Sequence, residues 1–270
     1  MKALFFDLDG TLLDSGKRIP ASAAAALMAA RAKGVKVFVC TGRSLRVEKM
    51  LGWTTEMQRV DGGVYCYGAG ICLDGETKYV CIEPEAVRAV LAEVSRYVGV
   101  HVSLIGEGAD HAFNFDPPES MMGPWGMKPE DIHPLDDAAI GHCTKLHVIY
   151  KELVNSTCPL PETLLPSLQQ KCGDTATMYL TDQGATIQIV SRESSKRAGI
   201  ERVRQALGIQ PEELAVFGDD LNDLEMIRAY PVSVAMGNAV GEVKAAAKYV
   251  TRANDEGGIA HALKEILHII

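Results

Sequence analysis

Two aspartates one residue apart, Asp7 and Asp9, close the apolar run Ala3-Leu4-Phe5-Phe6 and stand before Gly10-Thr11. A strand end is a rigid mount, and two carboxylates on it can hold a divalent metal beside a reactive oxygen. Without a cation, like charges this close repel and one takes up a proton. A hard ion such as Mg2+ prefers oxygen donors and removes the conflict. Three more segments carry groups suited to the same chemistry: Thr41-Gly42-Arg43, Lys196, and Gly218-Asp219-Asp220-Leu221-Asn222-Asp223. Each also has a plainer reading. Asp-Gly makes β-turns, Thr41-Gly42-Arg43 can simply start a helix, Lys196 alone reads as a solvated lysine, and Arg43 as half of a surface ion pair. The Asp219–Asp223 stretch fits an acidic first helical turn, favoured by the macrodipole. The plainer readings must all hold together to displace the chemical one.

The elements around these residues place them alike. Ala3–Phe6 ends at Asp7, Val35–Cys40 at Thr41-Gly42-Arg43, Gly63–Cys66 at Tyr67-Gly68-Ala69-Gly70, and Leu214–Phe217 at Gly218-Asp219-Asp220. Short apolar runs with polar or glycine-rich ends read as buried parallel strands. Ligands of open α/β sheets sit at the carboxyl ends of such strands. The spacing predicts helices over Ser22–Lys33, with Ser22 as N-cap and Gly34 beyond the end, and over Lys196–Leu207, followed by Gly208. Pro211-Glu212-Glu213 should begin the turn into the Leu214 strand. Helices over Val243–Lys248 and Gly258–Leu267, around a short strand at Tyr249–Thr251, are expected to close the chain. Strand and helix in alternation predict an α/β fold, a doubly wound parallel-sheet, Rossmann-like core.

The middle of the chain differs. Val87, Val90, Leu91, Val94 and Val98 make an amphipathic helix of Glu85–Val98. Val100–Ile105, Lys145–Tyr150, Thr177–Leu180 and Thr186–Val190 are strand candidates, and Asp116–Met127 reads as a Pro/Gly/Met-rich loop. We therefore expect residues 1–82 and 190–270 to form the core and residues 83–189 an inserted α+β cap domain.

Composition limits the partners. A net charge of -8 over 270 residues disfavours nucleic acid and anionic membranes, both of which reward positive charge. Uncharged runs, such as the 12 residues of Gly62–Leu73 and none longer than 13, fall short of a membrane span. Asp7 interrupts the only apolar stretch near the start, so no signal peptide is read there. The seven cysteines form no CxxC pair, which fits reduced thiols and a cytoplasmic location. With no coiled coil or long apolar surface helix, a monomer is the default.

The four motifs, in this order, resemble those of the haloacid dehalogenase-like phosphatases, and the cap inserted between the second and third resembles the type IIB cap of the Cof-like sugar phosphatases. The resemblance implies a phosphoric monoester hydrolase with Mg2+ as cofactor and a small-molecule phosphate ester as substrate. It implies Asp7 as the nucleophile that forms an aspartyl-phosphate, and Asp9 as general acid and then base. Thr41, Gly42, Arg43, Lys196 and Asn222 would bind the transferring phosphoryl group. Asp7, the backbone carbonyl of Asp9 and Asp219 would hold the metal, with Asp223 in support. Two stretches depart from the Cof-like pattern. Tyr67-Gly68-Ala69 stands where Asn-Gly-Ala is usual, and Ser191–Ser195 lacks the usual glycine before Lys196. In the cap, Asp110, His111, Asn114, Met121, Met122 and Trp125 are candidates to meet the rest of the substrate, or ordinary core and loop residues. Two rival functions share these residues: a phosphomutase or phosphotransferase passing the phosphoryl group to a second hydroxyl, and a non-enzymatic phospho-acceptor or metabolite-binding regulator.

Overall fold

Short apolar runs bounded by glycine and polar residues become buried strands in a computed structural model that describes residues 1–47, 51, 60–123, 125–150 and 158–270. The chain divides into two compact units: Met1–Arg43 with Leu51–Lys78 and Lys196–Ile270, and Ser44–Met50 with Tyr79–Ser195.

The first unit opens with β1 (Ala3–Phe6), α1 (Ala21–Ala32), β2 (Lys36–Cys40), β3 (Gly62–Tyr65), β4 (Gly70–Leu73) and β5 (Glu76–Tyr79). Helix α1 begins one residue before the expected start. Pro20 precedes it at φ -57 and no side chain caps it, so Ser22 is not its N-cap. Gly34 takes the left-handed backbone (φ 81) that ends the helix, as expected.

The inserted unit contains α2 (Pro84–Val94), β6 (Val100–Gly106), β7 (His111–Phe113), α3 (Glu119–Met122), β8 (Ile132–His133), α4 (Asp137–Gly141), β9 (Cys143–Tyr150), α5 (Leu164–Cys172), β10 (Ala176–Thr181) and β11 (Thr186–Ser191). Its sheet runs β10-β11-β9-β6-β7-β8. Alternation along the strands sorts the side chains. Val102, Leu104, Leu146, Val148, Ile187 and Ile189 pack with Val87, Val90 and Val94 of α2 and Leu164 and Leu168 of α5. A smaller cluster joins Phe113, Met121, Met127 and Ile149. Helix α2 stops at Val94, and Val98 is 99% exposed, not on its apolar face. Gly99, at φ 78, already turns the chain into β6.

Residues 79–82 and 190–195, expected in the core, group instead with the inserted unit. Ile82 donates to the Cys143 carbonyl and belongs to the large cluster, and Ser191 still pairs with Ala176.

The first unit resumes with α6 (Lys196–Leu207), β12 (Leu214–Gly218), α7 (Leu224–Ala229), β13 (Ser233–Ala235), α8 (Gly241–Ala246), β14 (Tyr249–Val250) and α9 (Gly258–His261). Helix α8 lies two residues earlier than expected because Ala247 is already extended (ψ 148) toward β14. The final helix is shorter than expected: α9 passes at Ala262–Ile266 into a wider π turn, closed by Leu267 N–H to Ala262 O (2.9 Å). The strand order is β14-β13-β12-β1-β2-β3-β4-β5. From β14 to β3 the pairs are parallel, with Phe6 between Phe217 and Val39. All four β1 side chains have no exposed surface, which explains an apolar run without alternation. The hairpin β3–β4 is antiparallel, an addition to the expected parallel sheet.

Candidate active site

Asp7 continues β1: its N–H donates to Phe217 O (3.0 Å), extending the parallel ladder and fixing the carboxylate at the strand end. Lys196 opens α6 and is 2% exposed. Its Nζ donates to Asp7 Oδ1 (2.6 Å), Asp223 Oδ1 (2.5 Å) and Asn222 Oδ1 (3.0 Å), one acceptor for each ammonium hydrogen. Burial opposes its charge, but Asp223 and Asp7 outweigh burial and hold the amine well above the ordinary lysine range. Asp7 is pushed well up, chiefly by burial and then by the nearby Asp223 and Asp219, against the pull of Lys196.

Asp219 stands at the end of β12. Thr11 Oγ1 donates to its Oδ1 (2.6 Å), and burial with the neighbouring Asp223 raises its carboxyl to about 6. The other oxygen of Asp223, Oδ2, accepts from the N–H of Asp219 (2.9 Å) and Asp220 (3.2 Å). Asp223 thus closes the turn after β12 while holding Lys196. Carboxylate oxygens of Asp7, Asp219 and Asp223 all lie within 4.8 Å of one another. Two of these acids resist ionisation where they stand, and all the donors are hard oxygens. The set fits a divalent cation such as Mg2+. Gly10 (φ 81) is part of the same packing, since a Cβ there would overlap the Asp219 carboxylate.

The Asp9 side chain points elsewhere. Arg43 grips it through Nε (2.6 Å) and Nη2 (2.7 Å), and Lys17 Nζ adds a third bond (2.6 Å). Burial opposes its charge, but these bonds outweigh burial and keep Asp9 below the usual carboxylate range. Arg43 therefore meets Asp9, and the ion-pair reading holds for it in this state. Thr41 is 1% exposed, and its Oγ1 accepts from the Arg43 N–H (3.1 Å).

Sequence reasoning missed four residues. Thr11 lies inside the first motif, where the sequence alone gives it no role. Lys17 holds Asp9, and Asn238 donates to Gly10 O (2.7 Å); no local pattern marks either. Tyr67 was visible only as a departure from Asn. It packs against Gly42, where a Cβ would overlap its ring. Cys66 (φ 48) and Tyr67 (φ 53) are both left-handed, at a cost of about 1–3 kcal/mol each.

Most cap candidates serve the inserted unit itself. Asn114 Oδ1 accepts from Val102 N–H (2.8 Å), Met121 is fully buried, and Trp125 lies edge-on to His147 (centroids 5.3 Å apart). Met122 packs beside Met121, and His111, 4% exposed, stacks on Phe113. Asp110 remains half exposed, paired with His133 (3.2 Å). All seven cysteines are free thiols. Among the described residues no helix is long and apolar enough to cross a membrane.

With that geometry in hand, comparison with known proteins places the chain. The sequence profile of the haloacid dehalogenase-like hydrolases matches residues 4–263. YkrA of Bacillus subtilis, which bears a provisional phosphatase name, is 29% identical over 270 residues, covering 98% of this chain and 97% of that protein. The chloroplastic endoribonuclease YBEY of Arabidopsis thaliana is 28% identical over 269 residues, 96% of this chain. The chain spans only 45% of that longer protein. A solved subclass IIB sugar phosphatase of the same superfamily superposes with a TM-score of 0.82 at 30% identity, covering 100% of both chains. A parallel core sheet with Asp7 and Asp219 at its strand ends and Lys196 at the start of α6, together with a profile match over nearly its whole length, means that this chain belongs to the haloacid dehalogenase-like hydrolases, as a phosphatase of the Cof-like kind.

Proposed function

We propose that the chain hydrolyses phosphate monoesters of small metabolites, of the sugar phosphate class, through an aspartyl-phosphate on Asp7. One observation carries the reading: a single buried ammonium, Lys196, is shared by Asp7, Asp223 and Asn222 beside a second strand-end carboxylate, Asp219. The subclass IIB likeness supports the sugar phosphate class.

Phosphate esters resist attack because their oxygens repel an approaching anion, so catalysis is mostly positioning and charge neutralisation. Mg2+, held by Asp7, Asp219 and the Asp9 backbone carbonyl with Asp223 in support, would neutralise charge on the phosphoryl oxygens. A carboxylate oxygen of Asp7 attacks phosphorus while the ester oxygen leaves and takes a proton from Asp9. Asp9 then removes a proton from the water that attacks the aspartyl-phosphate, releasing inorganic phosphate and restoring Asp7. Lys196 keeps Asp7 oriented and offsets its charge. Thr41 and the Gly42 N–H donate to the phosphoryl oxygens, fixed in advance of the reaction. Asn222 positions the Lys196 ammonium. Asp9 is gripped by Arg43 and Lys17, so its acid role requires that grip to loosen; a substrate phosphate competes for the Arg43 guanidinium.

The test is phosphate release from a panel of sugar phosphates and one aryl phosphate, with Mg2+ or EDTA, for the wild type and Asp7→Asn. Release should need the metal and fall by at least about 10³-fold in Asp7→Asn. A folded, magnesium-loaded protein that releases no phosphate would overturn the reading. Transfer of the phosphoryl group to an added sugar hydroxyl, giving a new phosphate ester in place of inorganic phosphate, would replace it with a phosphotransferase.

A further inference from the structure

We infer that Tyr67 is a positioning residue for the phosphate-binding loop, its ring holding Thr41 and the Gly42 N–H in place. The inference rests on the reading of the site given above.

Three successive residues, Cys66 (φ 48), Tyr67 (φ 53) and Gly68 (φ 93), lie in the left-handed region. A bulky side chain there is an outlier, and such backbone persists only where its surroundings over-determine it. The turn gains two hold points on the loop: Cys66 N–H donates to Arg43 O (2.8 Å) and Tyr67 N–H to Thr41 O (3.1 Å). Gly42 is thereby gripped from both sides. The phenol ring, 3% exposed, fills the space over the bare Cα of Gly42, since a Cβ there would overlap Cζ, Cε1 and the hydroxyl. The far side of the turn is backed by α6, the helix that begins with Lys196. A Cβ on Gly199 would overlap Val64 and stand 3.2 Å from Gly68 Cα. The turn Cys66–Gly68 is thus wedged between the loop that offers Thr41 and Gly42 and the helix that offers Lys196. Tyrosine supplies a rigid filler there that a short asparagine does not.

The test uses wild type, Tyr67→Phe, Tyr67→Asn, Gly42→Ala and the Gly42→Ala/Tyr67→Asn double variant. Each is measured for kcat and KM on the best panel substrate, for the affinity of inorganic phosphate by calorimetry, and for Tm. Asparagine tolerates left-handed backbone, so Tyr67→Asn removes the ring without breaking the turn. It should stay folded with a Tm lowered by the cavity the ring leaves, and it should lower kcat and weaken phosphate binding by about tenfold, while Tyr67→Phe stays within about threefold of wild type. Gly42→Ala, forced against the ring, should lose about a hundredfold, and the double variant should recover to the level of Tyr67→Asn alone. Equal inactivity of Gly42→Ala and the double variant would overturn the inference. So would Tyr67→Asn with unchanged kcat and phosphate affinity. If the wild type released no phosphate, the reading of the site would fail instead, and the phosphate affinities across the series would still decide whether Tyr67 shapes an anion-binding loop.

Discussion

Lys196 in the first unit and His147 in the inserted unit are both polar groups taken out of water, with opposite outcomes. The Lys196 ammonium meets three acceptors and stays charged against burial. His147 Nε2 is buried with no hydrogen-bond partner among the described residues, and burial, with Lys145 and His111 nearby, drives its ring well toward the neutral form. His111 behaves in the same way, pushed by burial and by Arg46 down to about 3. A buried group keeps its charge only when partners replace the water it has lost. The first unit spends its buried acids on keeping a cation fixed for chemistry. On the inserted sheet, desolvation holds His111 and His147 toward the neutral form, and Arg46 of the same unit is a buried cation held by four hydrogen bonds.

Lys196→Ala leaves Asp7 and Asp223 buried without their cation. Phosphate release should fall by at least about a hundredfold, and denaturant unfolding should show a loss of about 3–5 kcal/mol. A variant with both near wild type would mean that the ammonium is not what holds the acids. The counterpart in the inserted unit is Arg46, 5% exposed and bonded to Asp131 (2.6 Å) and to Ala109 O (2.6 and 3.1 Å). Arg46→Ala should destabilise by about 3 kcal/mol, read by hydrogen exchange in β6 and β7, without the Mg2+ requirement of phosphate release changing.

The buried histidines make the inserted unit sensitive to pH. In the unfolded chain His111 takes up its proton near the ordinary 6.5, and in the fold only near 3. Between those values the unfolded state binds more protons. The stability contributed by a neutral ring is therefore complete above pH 6.5 and is lost as pH falls toward 3. The slope reaches about 1.4 kcal/mol per pH unit for each such histidine. Amide exchange in β7 and β9 should quicken as pH falls from 7.5 to 5 after correction for intrinsic rates, and His111→Phe should lessen the dependence. The smallest effect belongs to a pair that never left water: Arg88 and Asp137, 2.7 Å apart and both largely exposed. Arg88→Ala should change unfolding free energy by less than about 1 kcal/mol, and a larger loss would show that exposure is a poor guide to worth in this unit.

Legibility followed the range of the signal. Helix α6 was readable to the residue because Gly208 follows it and its apolar spacing is local, and β1 because no polar residue interrupts Ala3–Phe6. Val98 misled because helical spacing continued past the true end, which Gly99 decided. The β3–β4 hairpin was missed because four residues, Gly70–Leu73, are too few to reveal their direction. Asp110, His111, Asn114, Met121, Met122 and Trp125 stood out by type in a segment of little pattern. Only packing separated the core methionine and the backbone-bound asparagine from the exposed Asp110.

By itself the sequence determined that Asp7, Thr41, Lys196 and Asp219 each sit at the start or end of a regular element, because short apolar runs and helix-ending glycines are written in neighbouring residues. The tertiary structure decided who holds whom. Lys196 reaches Asp7 across 189 residues and Thr11 reaches Asp219 across 208. Asp9 is claimed by Lys17 and Arg43, and Tyr67 by Gly42. Those partnerships follow from the order in which parallel strands are laid side by side. That order is fixed by burying every face of β1 at once, a condition on the whole chain that no local stretch of residues contains.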